Sequence, residues 1–289
     1  MDCRVVLAQT NPALGDVRRN LADHERRIAA AAESGADLVV FPELSLTGYF
    51  LKDQSAEVAL TLDAPEIERL ARLSERVSVA VGFVERAPDG RLYNALAFLE
   101  DGRVLGVHRK VHLVGYGMFE EVRDLAPGEA FDPIESKHGR FGLLLCEDAW
   151  HMGGPYLHFV AHVDAIVVAS AGPARGAEAP GPGFASGRAW ETLLAATATM
   201  TQSWVLYANR VGFEDGIAFG GGSSVHDPFG ARVAQLEGLD AGELTARIDT
   251  RTLHRARVQT PLRRDEKPWL LLRELHRREL GADPDERET

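Results

Sequence analysis

Residues 4–43 read RVVLAQTNPALGDVRRNLADHERRIAAAAESGADLVVFPE, a stretch with two short apolar runs on either side of a helical pattern. The apolar runs, residues 4–9 and 37–41, are rich in the branched side chains that are typical of strands. Between them, apolar residues recur at helical spacing after a polar cap at Asp16. The stretch therefore predicts a strand, a helix and a second strand.

The same kinds of pattern continue along the chain, with more strands than helices. Strands are expected over residues 77–85, 93–99, 104–109, 141–145, 164–169, 203–208, 223–226, 231–235 and 243–248, and helices over 66–76 and 187–201. Many strands with few helices indicate an α/β fold in which helices cover two stacked sheets, an α-β-β-α sandwich. We expect a single domain over residues 1–289, with the Gly/Pro-rich residues 172–187 as a surface loop.

Composition excludes several classes of function. Of the 289 residues, 45% are hydrophobic, and 32 basic against 43 acidic residues give a net charge of −11. A negative protein repels nucleic acid and anionic membranes, so neither is an expected partner. No apolar run is long enough for a membrane span or a signal peptide, so we expect a cytoplasmic protein. Two cysteines, Cys3 and Cys146, are too few for a disulfide scaffold, and the scattered histidines show no metal-site spacing.

Two strands end in charged residues at positions where an α/β sheet can build a site. The segment FPELSLTGY at 41–49 places Glu43 directly after an apolar run. The segment RKVHLVGYGMFEE at 109–121 places Lys110 at a strand end, eleven residues before Glu121. Taken alone, each segment is also compatible with ordinary surface charges.

A third segment, FGLLLCEDAW at residues 141–150, brings a thiol to the end of an apolar strand beside two acids. A lone cysteine usually packs as a small apolar residue, which is what we expect of Cys3. A reactive thiol, however, needs a base, a developing oxyanion needs a positive charge, and a leaving amine needs a proton. Glu43, Lys110 and Cys146 supply these groups without a histidine.

In this order, the three segments resemble the Glu-Lys-Cys signature of the nitrilase superfamily, the carbon-nitrogen hydrolases. The resemblance runs over most of the chain, from about residue 3 to residue 280. Within the superfamily, FPELSLTGY, the K..L..YG.F.E pattern and CEDAW are most similar to the glutaminase domain of glutamine-dependent NAD synthetase.

The resemblance implies a sandwich of the nitrilase type and a role for each matching residue. By this likeness Glu43 is the general base, Lys110 stabilises the oxyanion, Cys146 is the nucleophile that forms a thioester, and Glu121 helps to position lysine and substrate. It further implies a homodimer or higher homo-oligomer, with residues 252–289 as a C-terminal extension at the interface. The expected substrate-binding residues are Tyr116, Glu147 and Ser170.

The resulting functional hypothesis is cysteine-dependent hydrolysis of a small carboxamide, a non-peptide C–N bond, to a carboxylic acid and ammonia. It needs no cofactor and no metal, and its partner is a small-molecule amide. Glu147 and Asp148 after Cys146, in place of the Trp-Glu of nitrilases, favour amides over nitriles. The alternatives are an ammonia-donating glutaminase-like subunit, an N-carbamoyl hydrolase, a nitrilase, and a non-catalytic binding relative.

Overall fold

The computed structural model describes residues 2–177 and 183–280, which form an α/β architecture with two mixed sheets. Its strands are β1 (Asp2–Gln9), β2 (Leu38–Val40), β3 (Ser78–Arg86), β4 (Leu92–Glu100), β5 (Arg103–Arg109), β6 (Ile134–Ser136), β7 (Gly139–Leu145), β8 (Ala165–Ser170), β9 (Trp204–Asn209), β10 (Val211–Glu214), β11 (Ile217–Gly220), β12 (Ser224–His226), β13 (Arg232–Gln235) and β14 (Gly242–Asp249).

The helices are distributed along the whole chain. They are α1 (Val17–Glu33), α2 (Ser55–Val58), α3 (Pro65–Leu73), α4 (Glu121–Asp124), α5 (Gly153–Val160), α6 (Ala185–Thr201), α7 (Thr250–Gln259), α8 (Leu262–Asp265) and α9 (Pro268–Leu280), with 3-10 turns at Lys52–Gln54 and Cys146–Trp150. In the two described ranges, no helix combines the length and the apolar character that crossing a bilayer requires.

Each of the two main sheets has six strands, with parallel strands in the middle and antiparallel strands at the edges, and β10 and β11 form a separate antiparallel pair. The first has the order β14-β1-β2-β3-β4-β5 and the second the order β13-β12-β9-β8-β7-β6. β1, β2 and β3 run parallel, as do β7, β8 and β9. Their carboxyl ends therefore lie together, which is where α/β sheets build their sites.

Alternating side chains of each central strand face two different apolar layers. In β1, Val5 and Leu7 belong to the core between the two sheets, whereas Val6 and Ala8 pack beneath α1 and α3. The second sheet repeats this pattern, with one face in the shared core and the other against α6. This confirms the predicted single-domain α-β-β-α sandwich.

The helix predicted after Asp16 begins where the sequence indicates. The Asp16 side chain accepts a hydrogen bond from Arg19 N at 3.0 Å and so caps α1. Leu21, His24 and Ile28 lie on its buried face, at the predicted helical spacing. The predicted helix over residues 66–76 is shorter, because α3 ends at Leu73.

The structure contains strands that were not predicted, and it differs from the prediction at the start of α6 and in the loop before it. The strands β6, β10 and β11 were not predicted, since each has only three or four residues and too few alternations to give a period. The helix expected from Gly187 begins at Ala185. The loop expected over residues 172–187 is described only in part, and residues 178–182 lie outside the described residues. Its Pro173 forms a bridge with Phe219 of β11.

The C-terminal part of the described chain is helical. It consists of α7, α8 and α9, and Trp269 and Leu272 on α9 are exposed. Residues 281–289 lie outside the described residues. The assignment of residues 252–289 to an oligomer interface stays a prediction.

Candidate active site

Glu43 is fully buried in a tight turn that follows β2. The turn packs directly onto β3 at Gly82, where a Cβ atom would lie 2.5 Å from Pro42 O and 2.6 Å from Leu44 N. Only glycine lets the strand approach the turn this closely. The position of the Glu43 carboxylate therefore depends on a residue of the neighbouring strand.

Lys110 follows β5, and its backbone N–H donates to Asn94 O of β4 at 2.8 Å. Its buried Nζ lies 2.8 Å from Glu43 Oε1 and 2.7 Å from Glu121 Oε1. Burial alone would lower the pKa of Lys110, but the charges of Glu121 and Glu43 outweigh it and hold that pKa well above its ordinary value. The lysine is therefore an ammonium between two carboxyl groups.

Burial also acts on Glu43, where it raises the pKa of the carboxyl group although the Lys110 charge opposes the shift. A raised pKa makes the carboxyl group a stronger proton acceptor, which can later return the proton. This is the property that a general base needs when it must later act as an acid.

Glu121, the first residue of α4, is held on both of its oxygens. Oε1 accepts from Lys110 Nζ and from the hydroxyl of Tyr49, and Oε2 accepts from Val114 N at 2.9 Å. Glu121 is therefore well placed to orient the Lys110 ammonium.

Cys146 lies where β7 ends and the 3-10 turn Cys146–Trp150 begins. Its φ of 44° is in the left-handed region, which a residue with a side chain rarely adopts. Burial, followed by the charge of Glu43, raises the pKa of the thiol. The thiol is therefore protonated at neutral pH and needs a base to become a nucleophile.

Two consecutive residues at the end of β8 link the thiol to the carboxylate. Ser170 Oγ donates to Cys146 Sγ at 3.3 Å, and Ala171 N donates to Glu43 Oε2 at 2.8 Å. The structure thus brings Glu43, Lys110 and Cys146 to one place, although they come from strand ends far apart in sequence. Ser170 lies against the sulfur, as a substrate-binding residue next to the nucleophile would.

The other two expected substrate-binding residues form a pair beside Cys146. Tyr116 OH lies 3.0 Å from Glu147 Oε1, and Glu147 directly follows Cys146. The Tyr116 side chain is exposed, whereas Glu147 is half-buried. A polar pair at this point is accessible to a small molecule that approaches the thiol.

Asp148 is a site residue that the sequence analysis did not identify. Its buried Oδ1 accepts from the backbone N–H groups of Val111 at 3.2 Å and His112 at 2.9 Å, and from His112 Nδ1 at 3.0 Å. Its Oδ2 accepts from His108 Nε2 at 2.8 Å and from Leu145 N at 3.2 Å. Asp148 therefore ties the segment after Lys110 to the residue before Cys146.

Burial opposes the ionisation of Asp148, but the hydrogen bonds from His108 and His112 prevail, so the pKa of its carboxyl group lies below the usual range. The signal in the sequence was an acid two residues after a candidate nucleophile, which we interpreted only as part of the CEDAW pattern.

Three further polar residues also support the site, of which Asn94 and Asn209 are buried and Tyr49 is half-buried. Asn94 Nδ2 donates to Glu43 Oε1 at 2.8 Å, and Asn209 donates to Gly221 O and accepts from Gly172 N, both at 2.8 Å. The third is Tyr49, whose hydroxyl donates to Glu121. A lone amide in an apolar strand is the signal by which Asn94 could have been found.

Chemically, the arrangement combines a thiol, a carboxylate with a raised pKa and an ammonium in a buried setting. These are the groups that acyl transfer through a cysteine requires. Within residues 2–177 and 183–280, no group of three or more His, Cys, Asp or Glu side chains is arranged to hold a metal ion. That the reaction needs no metal stays a prediction.

Residues 4–258 match the family described as carbon-nitrogen hydrolase. The chain belongs to the carbon-nitrogen hydrolases, the nitrilase superfamily. The match spans most of the sandwich, including all three strand ends that carry Glu43, Lys110 and Cys146.

Curated relatives of this carbon-nitrogen hydrolase include enzymes with different names. It is 32% identical over 267 residues to the glutamine-dependent NAD(+) synthetase of Thermotoga maritima, an alignment that covers 90% of this chain and 44% of the relative. The chain thus spans less than half the length of that synthetase. It is 30% identical over 264 residues to the citrullinase of Francisella tularensis subsp. tularensis, covering 87% of this chain and 91% of the relative.

A solved structure with the same fold comes from an amidase of Nesterenkonia sp. AN1. It aligns with a TM-score of 0.76 and 25% identity over 96% of each chain. That structure is of a variant in which the acetamide moiety of fluoroacetamide is covalently attached to the active-site cysteine.

Proposed function

We propose that this carbon-nitrogen hydrolase is an amidase that cleaves a small linear carboxamide through a thioester on Cys146. The observation that carries the proposal is the ammonium of Lys110 between Glu43 and Glu121, in a site where the Cys146 thiol is held by Ser170. The amidase with an acetamide-modified cysteine supports it as a relative of the same fold.

In the first half of the reaction, Glu43 accepts the proton of the Cys146 thiol, and the sulfur attacks the amide carbonyl carbon. An ammonium group has three donors, of which Glu43 and Glu121 take two. The third stabilises the oxyanion of the tetrahedral intermediate, together with a backbone N–H. The C–N bond then breaks as Glu43 returns its proton to the leaving nitrogen, and ammonia departs.

In the second half, water replaces ammonia. Glu43 takes a proton from water, and the oxygen attacks the thioester carbonyl, again with Lys110 stabilising the oxyanion. The C–S bond breaks, Cys146 recovers the proton from Glu43, and the carboxylic acid leaves. Over the cycle, one amide and one water give one acid and one ammonia, and the protein is unchanged.

A second candidate is a glutaminase-like enzyme that passes ammonia to a separate protein. The observation that favours it is the likeness to NAD synthetases, whose additional length is not matched by this chain. A carbamoyl substrate is a third candidate, since another relative is a citrullinase. All three use the same thioester or carbamoyl-thioester chemistry and differ in the group that the Tyr116–Glu147 pair must accept.

The test is ammonia release from a panel of substrates by three proteins. The panel contains aliphatic, aromatic and amino-acid amides, glutamine, citrulline and a few nitriles. The proteins are the wild type, Cys146→Ala, and Cys3→Ala as the matched control, because Cys3 is the other cysteine of the sequence and is buried in the sandwich core near the amino end of β1. We expect loss of at least about 10⁴-fold in kcat for Cys146→Ala and wild-type rates for Cys3→Ala.

The substrate that is turned over separates the candidates. Preference for simple amides supports the amidase, preference for glutamine supports the ammonia donor, and preference for citrulline supports the carbamoyl hydrolase. Full turnover by Cys146→Ala would refute all three, and silence of a folded wild type across the panel would favour a non-catalytic relative.

A further inference from the structure

The two oxygens of the Glu43 carboxylate have different surroundings. Oε1 accepts from Lys110 Nζ and from Asn94 Nδ2, both at 2.8 Å. Oε2 accepts only one hydrogen bond among the described residues, from Ala171 N at 2.8 Å. A carboxylate oxygen offers two in-plane lone pairs. Both in-plane positions of Oε1 are therefore occupied, whereas Oε2 has one in-plane position that no described residue occupies.

Asn94 gives Oε1 of Glu43 one hydrogen bond more than Oε2 accepts. The residue is fully buried in β4, and within the described part of the chain its Oδ1 has no hydrogen-bond partner. If the amide were turned around, Oδ1 would face the Glu43 carboxylate and two acceptors would meet. The negative charge of Glu43 therefore fixes the orientation of the amide, and the amide in return occupies the second lone pair of Oε1.

The free lone pair is on the oxygen held by the strand end that also holds the thiol. Ala171, the donor to Oε2, directly follows Ser170, whose hydroxyl donates to Cys146 Sγ. Resting on the proposed function, we infer that Asn94 is a positioning residue that makes Oε2 the proton-accepting oxygen of Glu43.

The proton transfer then balances at named atoms. The S–H bond of Cys146 breaks, its electron pair stays on sulfur, and the proton binds the free lone pair of Oε2. Oε1 continues to accept from Lys110 and Asn94 throughout. When ammonia forms, the proton leaves Oε2 for the departing nitrogen, and Glu43 is again a carboxylate with the same three donors.

This assignment predicts a pH effect, because the Asn94 N–H stabilises the charged form of Glu43. The titratable and charged groups around Glu43 are Lys110 and Glu121 on one side, Cys146 on another, and the more distant Tyr49, Tyr207 and Arg210. None of these changes when Asn94 is replaced. Without the amide, Glu43 binds its proton more tightly. A rate that depends on ionised Glu43 falls as the pH is lowered, and this fall, the acid limb of the pH profile, therefore moves to higher pH.

The experiment measures the rate at which iodoacetamide alkylates Cys146 as a function of pH, in a Cys3→Ala background so that one thiol reacts. Three proteins are compared: this parent, Asn94→Ala, and Asn20→Ala. Asn20 is a buried amide that bonds to Ala13 and Leu46 and does not touch Glu43, so it controls for the loss of a buried amide.

We expect the acid limb of Asn94→Ala to move upward by about one pH unit, a tenfold increase in proton affinity, with the rate recovering towards the parent value above the limb. Asn20→Ala keeps the parent limb. If the alanine variant does not fold, Asn94→Asp replaces it, because aspartate has the same shape as asparagine. This variant should move the acid limb at least as far, because two carboxyl groups then face each other.

If Asn94→Ala lowers the alkylation rate by the same factor at every pH and the acid limb does not move, the inference is overturned and Asn94 is only a structural residue. The ammonia assay keeps this separate from the proposed function. If the limb moves but no substrate releases ammonia, the proposed amidase fails and the inference stands. If turnover depends on Cys146 and the limb does not move, only the inference fails.

Discussion

Asp148 offers a direct test of how the site is held together, through the variant Asp148→Asn. The asparagine keeps the size of the side chain and one acceptor oxygen, which can still serve Val111 N and His112 N. Its NH₂ group, however, replaces the oxygen that accepts from Leu145 N and His108 Nε2. The His108 ring can change tautomer and accept instead, but the buried Leu145 N–H loses its partner.

The magnitude follows from these contacts. An unsatisfied buried donor costs about 1–3 kcal/mol, and the remaining bonds lose the strengthening that a charged acceptor provides. We expect the free energy of unfolding to fall by about 3 kcal/mol in total. For a chain of this length that corresponds to a decrease in Tm of about 5 °C.

The pH dependence has a definite sign. The pKa of Asp148 is lowered in the folded state, so its contribution to stability is present above the unfolded pKa of about 3.9 and is lost as the pH falls through the folded pKa. The stability difference between wild type and Asp148→Asn is therefore complete at neutral pH and narrows in more acidic solution, below about pH 4.

The assay is urea and thermal unfolding of both proteins from neutral pH to below pH 4, with Glu147→Gln as the matched control. Glu147 is in the same turn but bonds to Tyr116 and lies near His151, and its loss should cost less than about 1 kcal/mol. Equal stability of wild type and Asp148→Asn at neutral pH, or a difference that grows on acidification, would refute the reasoning.

Three other predictions concern Gly82, Tyr49 and two buried histidines. Gly82→Ala should lower stability by at least about 3 kcal/mol and abolish turnover, because its Cβ meets backbone atoms of the turn after β2; soluble, active protein would contradict this. Tyr49→Phe removes one donor from Glu121 and should lower kcat by about tenfold with KM little changed, which initial-rate kinetics would check. Burial lowers the pKa of His24 and of His158 to about 4, so the free energy of unfolding should fall as the pH drops from about 6.5 to about 4, by up to about 3 kcal/mol for each histidine. In His158→Gln, the free energy of unfolding measured with urea should fall less between about pH 6.5 and about pH 4 than in the wild type.

Much of the fold could be predicted from the sequence because its central strands are short, nearly continuous apolar runs. Val5 to Ala8 alternate between two apolar layers, so the pattern indicates a strand with both faces covered. The β10–β11 hairpin could not be predicted in this way. Its strands have four residues each, Gly212 and Gly220 interrupt them, and the hairpin is held by long-range contacts such as the Pro173–Phe219 bridge.

Some residues of the candidate site could likewise be predicted from the sequence, and others could not. Glu43, Lys110 and Cys146 could be singled out because each follows an apolar strand, and strand ends converge in this type of fold. Asn94 and Asp148 could not be assigned, because their importance lies in what they bond to. Asn94 is one polar residue in an apolar strand, and its partner Glu43 is 51 positions away. Such pairings depend on the sheet register, which local periodicity does not specify.

The link between Ala171 and Glu43 also has a mechanical consequence. Glu43 and Lys110 follow strands of the first sheet, whereas Cys146 and Ala171 follow strands of the second, and Ser170 is the last residue of β8. Glu43 and Cys146 thus lie on either side of the boundary between the two sheets, and sliding of one sheet against the other would move the Glu43 carboxylate away from the Cys146 thiol. Residues deep in the shared core, such as Leu143, act as a spacer that sets this distance. The rate of the proposed reaction should therefore depend on how tightly the sandwich is packed, even far from Cys146.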